Sequence, residues 1–399
     1  MSAGDAVVGV PTATEAPRPP RPHLWEVDVV RILTFLCVIA VHTTSHTAGP
    51  NDLPLYVLLG LLHFTRNVFF ALTAFVLVYS YLHKPVPMRR FWPRRFLLVG
   101  VPYVAWSLIY FVASNLHSPG HRDFGQLTLA FLGHLFTGTA WYHLYFLLVT
   151  MQVYLLVPVI LWLVAKTRGH HAAVLVIAGI VQLVIVGLYF YFPSSVAFLH
   201  GYTKEYFFSY LFFIIAGAVG ADHSAGFLAW VRAHRPLIGW ITLATGVVTI
   251  GVFIAAIAVG KTYSAAGTPL QPILMVWGGA VALAFLAIGT WWADRRRPDG
   301  FGTRFVRLAS DRSFGIFLSH PLAIWILLWI GNDYFQKVIP TPWLTPVIYL
   351  MVIASAIIIT EIARRTPLSL PLTGRRWAGR RKDAPPATTS AAPETTAAH

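Results

Sequence analysis

The chain has 399 residues, of which 56% are hydrophobic and only 11% are charged, and its mean hydropathy is +0.64. Water-soluble domains carry about 25% charged residues. These values therefore exclude a water-soluble enzyme, a disordered chain and a disulfide scaffold. The net charge of +15 would fit either a nucleic-acid-binding protein or a membrane protein with cationic cytoplasmic loops, and the distribution of the charges decides between them.

Ten apolar segments follow one another along the chain, each close to the roughly 20 residues that a 30 Å hydrocarbon core requires. They cover residues 25–45, 54–82, 96–115, 141–165, 172–192, 206–221, 236–259, 270–293, 314–332 and 343–363. We therefore predict an all-α fold, a polytopic integral membrane protein of about ten transmembrane helices. The apolar stretch 124–138, which three glycines interrupt, is interpreted as a short interfacial or re-entrant piece.

The two ends of the chain are polar. Residues 1–22 are rich in Pro, Ala and Thr and lack the apolar core of a signal peptide, which predicts a disordered cytoplasmic tail. Residues 23–365 form the predicted transmembrane domain. Residues 366–399 are predicted to be a second cytoplasmic tail, largely disordered.

Lysine and arginine are distributed very unevenly between the two sides of this predicted bundle. Of the 30 basic residues, 24 lie in the tails and in every second loop, four lie in the other loops, and two lie within the apolar segments. Cytoplasmic loops carry such an excess of basic residues, so both termini are predicted to be cytoplasmic. The charge then reflects membrane topology, and we expect contacts with membrane lipids but no nucleic-acid partner.

The sequence gives no indication of a metal site. Its single cysteine, Cys37, cannot form an internal disulfide, and no Cys/His spacing is typical of zinc binding. Arginine outnumbers lysine 24 to 6, which is typical of a GC-rich bacterial source. We therefore expect a multi-pass protein of a bacterial plasma membrane.

The first apolar segment carries an unusual set of ionisable residues. Asp28 and Arg31 are three residues apart and can pair on one helical face. Arg31 and His42 are eleven residues apart, about 20° from three full turns and about 16 Å along the axis, so they share that face. His46 lies one turn beyond His42. Ionisable groups inside a membrane usually mark a functional site, although Arg31 could instead reach the headgroups and His42 could be a packing residue.

The second segment contains His63 and Arg66. Arg66 lies too deep to reach the headgroups easily, so it needs a carboxylate, carbonyl groups or an anionic ligand. One interpretation is an inter-helix salt bridge to a residue such as Asp28. The other is a polar cavity or anion site.

Two further features suggest binding sites. The predicted cytoplasmic loop 83–95 holds a dense cationic cluster, Arg89, Arg90, Arg94 and Arg95, which serves either topology and lipid binding or the binding of a phosphate, since arginine offers bidentate donors. His143 and His320 lie in later apolar segments. Each is either structural or part of a cavity. Pro321 interrupts its helix, and His320 can satisfy the backbone that it frees.

Together these segments resemble the acyltransferase 3 family of integral membrane acyltransferases. The resemblance begins with Asp28-x-x-Arg31-x10-His42 in the first segment. In order, the later similar elements are Phe69-Phe70-Ala-Leu-Thr73-Ala74-Phe75, Arg94-Arg95 with Pro102-Tyr103-Val-Ala-Trp106, His143-Leu-Tyr145-Phe146-Leu, Phe212-Phe213-Ile-Ile-Ala-Gly217 and Phe314-Gly-Ile-Phe-Leu-Ser-His320-Pro321. Two positions depart from the family pattern: Thr73-Ala74 stands where Ser-Gly is usual, and Leu98 or Val99 stands where an arginine is expected.

The resemblance implies that an acyl group, usually acetyl, moves from cytoplasmic acyl-CoA to a hydroxyl of an envelope glycan, a lipid-linked sugar or a glycosylated small molecule. It implies acyl-CoA as a co-substrate and no permanently bound cofactor. Such chemistry needs a base or a nucleophile, and a histidine can serve as either. We predict His42 in that role and Arg31 as the residue that orients the donor.

The remaining residues are predicted to line the site. Arg66 would share the catalytic cavity, and Arg89, Arg90, Arg94 and Arg95 would bind the donor with Arg31. The other cavity residues would be Asp28, His46, His63, His143 and His320. Two alternatives remain open at this point: an exporter of a polysaccharide or glycolipid without acyl-transfer activity, and a sensor or scaffold that needs no acyl-CoA.

Overall fold

The computed structural model describes residues 22–82, 87–117, 123–199, 203–340 and 342–377, and within them the chain is helical with no strand. The α-helices are α1 Trp25–Thr47, α2 Leu53–Leu62, α3 Thr65–Tyr81, α4 Met88–His117, α5 Phe124–Thr137, α6 Tyr145–Lys166, α7 His171–Tyr191, α8 Leu211–Asp222, α9 Ser224–Ala233, α10 Arg235–Ala258, α11 Tyr263–Ala266, α12 Ile273–Arg295, α13 Phe301–Val338, α14 Leu344–Arg364 and α15 Ser369–Thr373. Two 3₁₀ turns, Pro193–Leu199 and Phe207–Tyr210, precede α8.

Nine helical stretches among the described residues are long and apolar enough to cross a membrane, or up to ten if the bent pair α8–α9 forms one span. The prediction of an all-α chain with about ten membrane-spanning helices is therefore confirmed. The second span is broken between α2 and α3 at His63, shortly before Arg66. The chain bends by 97° between α8 and α9.

Two stretches that the predicted spans leave as loops are partly helical in the described residues. The predicted loop 83–95 already enters α4 at Met88, and the predicted loop 294–313 enters α13 at Phe301. Charged residues ended the apolar segments in the sequence, but here some of them find partners on neighbouring helices. Arg312, for example, pairs with Glu361 of α14, and such pairing lets a helix continue past the apolar core.

The 124–138 stretch forms α5, a 14-residue helix in which no side chain is buried. Asp123 and Gln126 form a capping box at its start, and Gly138 ends it in a left-handed conformation with φ of 74°. At the far end of the chain, α15 packs against α4, α13 and α14. The chain thus continues folded past residue 365, where the transmembrane domain was predicted to end. The predicted N-terminal tail up to residue 21 and the C-terminal tail from residue 378 lie outside the described residues.

Helix α1 lies at the centre of the bundle, where it contacts α2, α3, α12, α13 and α14. Helices α7 and α10 lie at the periphery and expose many large apolar side chains, among them Ile177, Ile180, Trp240 and Val247. A water-soluble protein rarely exposes so much contiguous apolar surface. The bilayer would cover it here.

The closest helix contact joins α3 to α8. A Cβ atom added to Gly217 would collide with the carbonyl oxygen of Ala71, so only glycine permits this separation of the two backbones. The residues Thr73-Ala74, which stand where the family that the sequence resembles has Ser-Gly, lie on the same helix as Ala71. The close approach of α3 and α8 therefore depends on Gly217 of α8 rather than on a glycine in α3.

Gly217→Ala should force α3 and α8 apart and destabilise the protein by about 1–3 kcal/mol, the usual cost of overpacking. Gly251→Ala on α10 is the matched control, because its Cβ would enter open space. Thermal unfolding in detergent should show a lower midpoint for the first variant and an equal or higher midpoint for the second. Equal midpoints for both variants would contradict the close contact.

The charge bias also predicts membrane orientation. A reporter fused after residue 88, 168, 228, 300 or 385 should face the cytoplasm, and one fused after residue 50, 120, 200, 265 or 338 should face the opposite side. Paired phosphatase and fluorescent-protein fusions measure both outcomes. A C-terminus on the outer side would overturn the topology with ten spans.

Candidate active site

Helices α1 and α13 run side by side in the same direction. Near the start of α1, the Nη1 atom of Arg31 donates to the Oγ atom of Ser310 at 2.9 Å. Eleven residues later the ring of His42 stacks on that of His320, with centroids 5.4 Å apart. Ser310 and His320 are ten residues apart on α13. The pair of helices therefore connects a polar group at one end of the bundle with a histidine group at the other.

The inner polar group is centred on Asp28. Arg31 donates to its Oδ1 atom at 3.1 Å, Ser310 donates to the same oxygen at 2.6 Å, and His23 contacts Oδ2 at 2.5 Å. The predicted pairing of Asp28 with Arg31 is present. The suggested salt bridge from Arg66 to Asp28 is not, because Asp28 is engaged by these other partners.

A cavity of about 270 Å³ opens beside this group. Three arginines line it: Arg31 from α1, Arg95 from α4 and Arg375 from the segment after α15. The aromatic side chains of Phe35 and Phe69 line it as well. The cavity lies at the end of the bundle that the charge bias predicts to be cytoplasmic.

The four arginines of the predicted cationic cluster behave differently from one another. Arg89, Arg90 and Arg94 are exposed on the first turns of α4, whereas Arg95 is half-buried. Arg95 donates to the hydroxyl of Tyr81 at 3.0 Å and lies over the rings of neighbouring aromatic residues. Of the four, Arg95 is the one that lines the cavity.

Arg375 and Asp311 are cavity residues that the sequence analysis missed. Asp311 of α13 pairs with Arg375, and it also accepts a hydrogen bond from Arg364 of α14 at 2.6 Å. The segment after α15 is thereby tied to two helices. Nothing in the sequence linked residue 375, in a predicted disordered tail, to a helix 64 positions earlier.

A layer of phenylalanines separates the cavity from the histidines. Phe35 and Phe69, which line the cavity, contact Phe317, with ring centroids 5.5 and 6.2 Å apart. Phe146 adds to the layer at 5.8 Å from Phe317. On its other side Phe317 contacts His143, with centroids 5.4 Å apart. A thin apolar layer thus lies between two polar regions.

Three of the predicted histidines meet beyond this layer. His320 lies with its ring centroid 5.4 Å from that of His42 and 5.6 Å from that of His143. Tyr142 covers His42 at 4.6 Å. His143 and His320 are fully buried, and His42 is partly exposed. Sequence positions 42, 143 and 320 are far apart, yet they form one cluster.

Pro321 fixes the tautomer of the preceding residue, His320. Because a proline has no N–H, the carbonyl of Phe317 one turn earlier would lose its helical partner, and the Nδ1 atom of His320 donates to it at 2.7 Å. The hydroxyl of Tyr110 binds two further backbone groups near Pro321: it donates to Leu318 O at 2.7 Å and accepts from Leu322 N at 3.1 Å. His320 therefore presents an unprotonated Nε2.

Several ring nitrogens of this cluster are buried without a partner. Both nitrogens of His143 and the Nε2 atom of His320 make no hydrogen bond of good geometry with a described residue. An unpaired buried polar atom costs about 1–3 kcal/mol, and such atoms are rare in folded proteins. A polar ligand that bound here would remove that cost.

His46 has a different environment. It is exposed, and its Nδ1 atom lies 2.8 Å from the backbone carbonyl of His42. With Tyr142 and three tryptophans, Trp141, Trp325 and Trp329, it lines a cavity of about 320 Å³ on the far side of the histidine cluster. The cluster thus lies between this outer cavity and the phenylalanine layer.

His63 and Arg66 have contacts of their own. The Nδ1 atom of His63 lies 2.7 Å from Gly267 O. Arg66 lies over the ring of Tyr145, 5.6 Å from its centroid, and one of its terminal nitrogens is buried without a partner. Lys204 lies over the same ring at 5.8 Å. Arg66 therefore joins a second cationic group.

Glu205 accompanies these two cations. Burial raises the pKa of its carboxyl above the usual value, although Lys204 and Arg66 partly oppose the shift. Burial likewise lowers the pKa of Lys204. The sequence analysis did not identify Lys204 or Glu205, because they lie in a short loop between two spans.

The profile of the acyltransferase 3 family, described as an acyltransferase domain, matches residues 24–361. The match begins at the residue before α1 and ends inside α14, so it includes the α1–α13 pair and the histidine cluster. Comparisons with curated proteins and with solved structures found no match.

Proposed function

Since the chain belongs to the acyltransferase 3 family and is a multi-pass membrane acyltransferase, we propose that it moves an acyl group, usually acetyl, from cytoplasmic acyl-CoA to a hydroxyl of an envelope glycan, lipid-linked sugar or glycosylated small molecule in a bacterial plasma membrane. One observation carries the proposal. Helix α1 has Arg31 in the inner cavity and His42 in the histidine cluster, on one continuous face.

The inner cavity suits the donor. The phosphates of a CoA are anionic, and Arg31, Arg95 and Arg375 offer planar guanidinium groups that can hold them by two hydrogen bonds each. Asp311 neutralises part of this charge through its pair with Arg375, and Asp28 does the same for Arg31, which leaves Arg95 as the principal hydrogen-bond donor to phosphate. The long flexible arm of the CoA would then lead the thioester toward the phenylalanine layer, about 16 Å from Arg31 to His42 along the helix.

The reaction needs a base near the acceptor hydroxyl. His42 would take the hydroxyl proton as the oxygen bonds to the acyl carbon, and the C–S bond would break as the CoA thiolate leaves and recovers a proton. Alternatively, the His42 ring attacks first and carries the acyl group transiently. In both routes the unprotonated Nε2 atom of His320 would accept a hydrogen bond from the acceptor hydroxyl, and the N–H of His143 would donate to the developing oxyanion.

The outer cavity suits a sugar. Its walls are the aromatic faces of Trp141, Tyr142, Trp325 and Trp329, and aromatic rings pack well against the C–H faces of a pyranose. His46 lies in the same wall, so a hydroxyl presented from this cavity would reach the histidine cluster. This supports a glycosylated acceptor over a purely apolar one.

A transporter would also have cavities on both sides of a thin apolar layer. Export of a polysaccharide or glycolipid without acyl transfer therefore remains the second candidate. It predicts that the purified protein neither binds acyl-CoA nor turns it over, so the next two experiments distinguish the two functions.

His42→Ala should lower acyl transfer by about 100-fold or more, because base or nucleophilic assistance is typically worth at least that factor. His46→Ala is the control on the same helix, and it should retain most of the activity because its ring is exposed and binds a backbone carbonyl. The measurement is transfer of radiolabelled acetyl from acetyl-CoA to envelope material in inverted membrane vesicles. Full activity in His42→Ala would move the catalytic role to His143.

Arg95→Gln should weaken acetyl-CoA binding about tenfold or more, since a hydrogen bond to a charged group contributes roughly 1.5–3 kcal/mol. Arg94→Gln removes the same charge from the neighbouring, exposed position and should leave the affinity nearly unchanged. Equilibrium dialysis of the detergent-solubilised protein gives both dissociation constants. An equal loss in the two variants would mean a diffuse effect of charge, and no loss in either would remove the donor from this cavity.

A further inference from the structure

A second group of histidines lies outside the site described above. His171 is the first residue of α7, Asp222 is the last residue of α8, and His223 occupies the 97° bend between α8 and α9. His171 is buried, Asp222 is half-buried and His223 is exposed. One nitrogen of each imidazole and one carboxylate oxygen all lie within 4.8 Å of one another.

The buried histidine is already oriented as a ligand. The Nε2 atom of His171 lies 2.9 Å from the carbonyl oxygen of Val164, so this nitrogen carries the proton and donates. The Nδ1 atom must then present its lone pair to His223, whose Nε2 atom lies 2.8 Å away. Metal-binding histidines almost always donate their other N–H to a carbonyl or carboxylate in this way.

We propose that His171, Asp222 and His223 bind a divalent transition-metal ion, with Zn²⁺ as the best fit. Two imidazole nitrogens and one carboxylate oxygen suit zinc and its neighbours, whereas Mg²⁺ and Ca²⁺ prefer oxygen ligands alone. Three protein ligands leave the fourth tetrahedral position for water. The likeness to a catalytic zinc site ends there, because no described cavity connects this group with the histidine cluster of the acyltransferase site.

Small movements convert the hydrogen-bonded pair into a metal site. Zinc–nitrogen bonds of about 2.0–2.1 Å in a tetrahedron hold the two nitrogens roughly 3.3 Å apart, so the 2.8 Å contact must open by about half an ångström. His223 is exposed and can rotate, and its Nε2 proton moves to Nδ1. The ion then replaces the proton that the two rings share.

Charge and access are compatible with this exchange. Arg168 lies 3.6 Å from Asp222, and more than half of its side chain is exposed, so it can move aside when a cation binds the carboxylate. A groove of about 750 Å³ lined by Asp222 and His223 gives an ion a route from the surface.

Metal binding would join three helices. The ligands come from the start of α7, the end of α8 and the bend before α9, so the ion would fix that bend against α7. The sequence analysis expected no metal, because His171 and His223 are 52 residues apart and no short spacing reveals them. The proposal does not depend on acyl transfer.

The test is metal binding by the full-length protein in detergent, with its affinity tag removed. Competition for Zn²⁺ with a chromogenic chelator should show one bound equivalent per chain. His223→Ala should weaken that binding at least tenfold, and Asp222→Asn should weaken it less. His170→Ala, next to His171 but outside the cluster, is the matched control and should bind as the wild type does.

A second measurement, the thermal midpoint, distinguishes loss of metal binding from loss of folding. His223 is exposed, and its substitution removes the ring contact and hydrogen bond with His171. Zn²⁺ should raise the thermal midpoint of the wild type and of His170→Ala but not that of His223→Ala. Co²⁺ should give the intense visible absorption of a tetrahedral site in the wild type. A wild type that binds no equivalent of zinc, or a His223→Ala variant that binds it unchanged, would overturn the proposal.

Discussion

The side-by-side, parallel packing of α1 and α13 is the constraint on which the rest of this structure depends. It sets Ser310 beside Arg31 and His320 beside His42, and so it joins a polar cavity to a histidine cluster across the bundle. Neither helix carries a complete site. The other helices supply what the pair lacks: Arg95 comes from α4, and His143 comes from the turn before α6.

Proline has an unusual place in this arrangement. In most helices a central proline weakens the structure, but here the carbonyl that Pro321 frees is the acceptor that orients His320. Tyr110 compensates for the rest of the disruption. The break that Pro321 makes in the hydrogen bonds of α13 thus orients the imidazole of His320. Tyr110 of α4 forms hydrogen bonds with two of the backbone groups beside this break.

The sequence predicted what depends on local periodicity. The length of the apolar segments predicted the membrane spans, and the eleven-residue spacing of Arg31 and His42 predicted that they share one helical face. It could not predict the role of Arg375, because that residue reaches the cavity through an ion pair with Asp311 of a distant helix. It also misjudged the starts of α4 and α13, where inter-helix partners, rather than hydropathy, decide how far a helix continues. His171 and His223 were missed for the same reason, since their proximity is purely tertiary.

The phenylalanine layer also has an electrical consequence. Cavities lie on both sides of Phe35, Phe69, Phe146 and Phe317. Where water fills them, most of the transmembrane voltage falls across this thin region rather than across the full bilayer. Moving one elementary charge through it requires about 2.3 kcal/mol per 100 mV. A neutral group passes between the cavities without electrical work, whereas a phosphate or a free proton does not. The layer therefore favours the crossing of a neutral group between the two cavities and opposes the crossing of a charge.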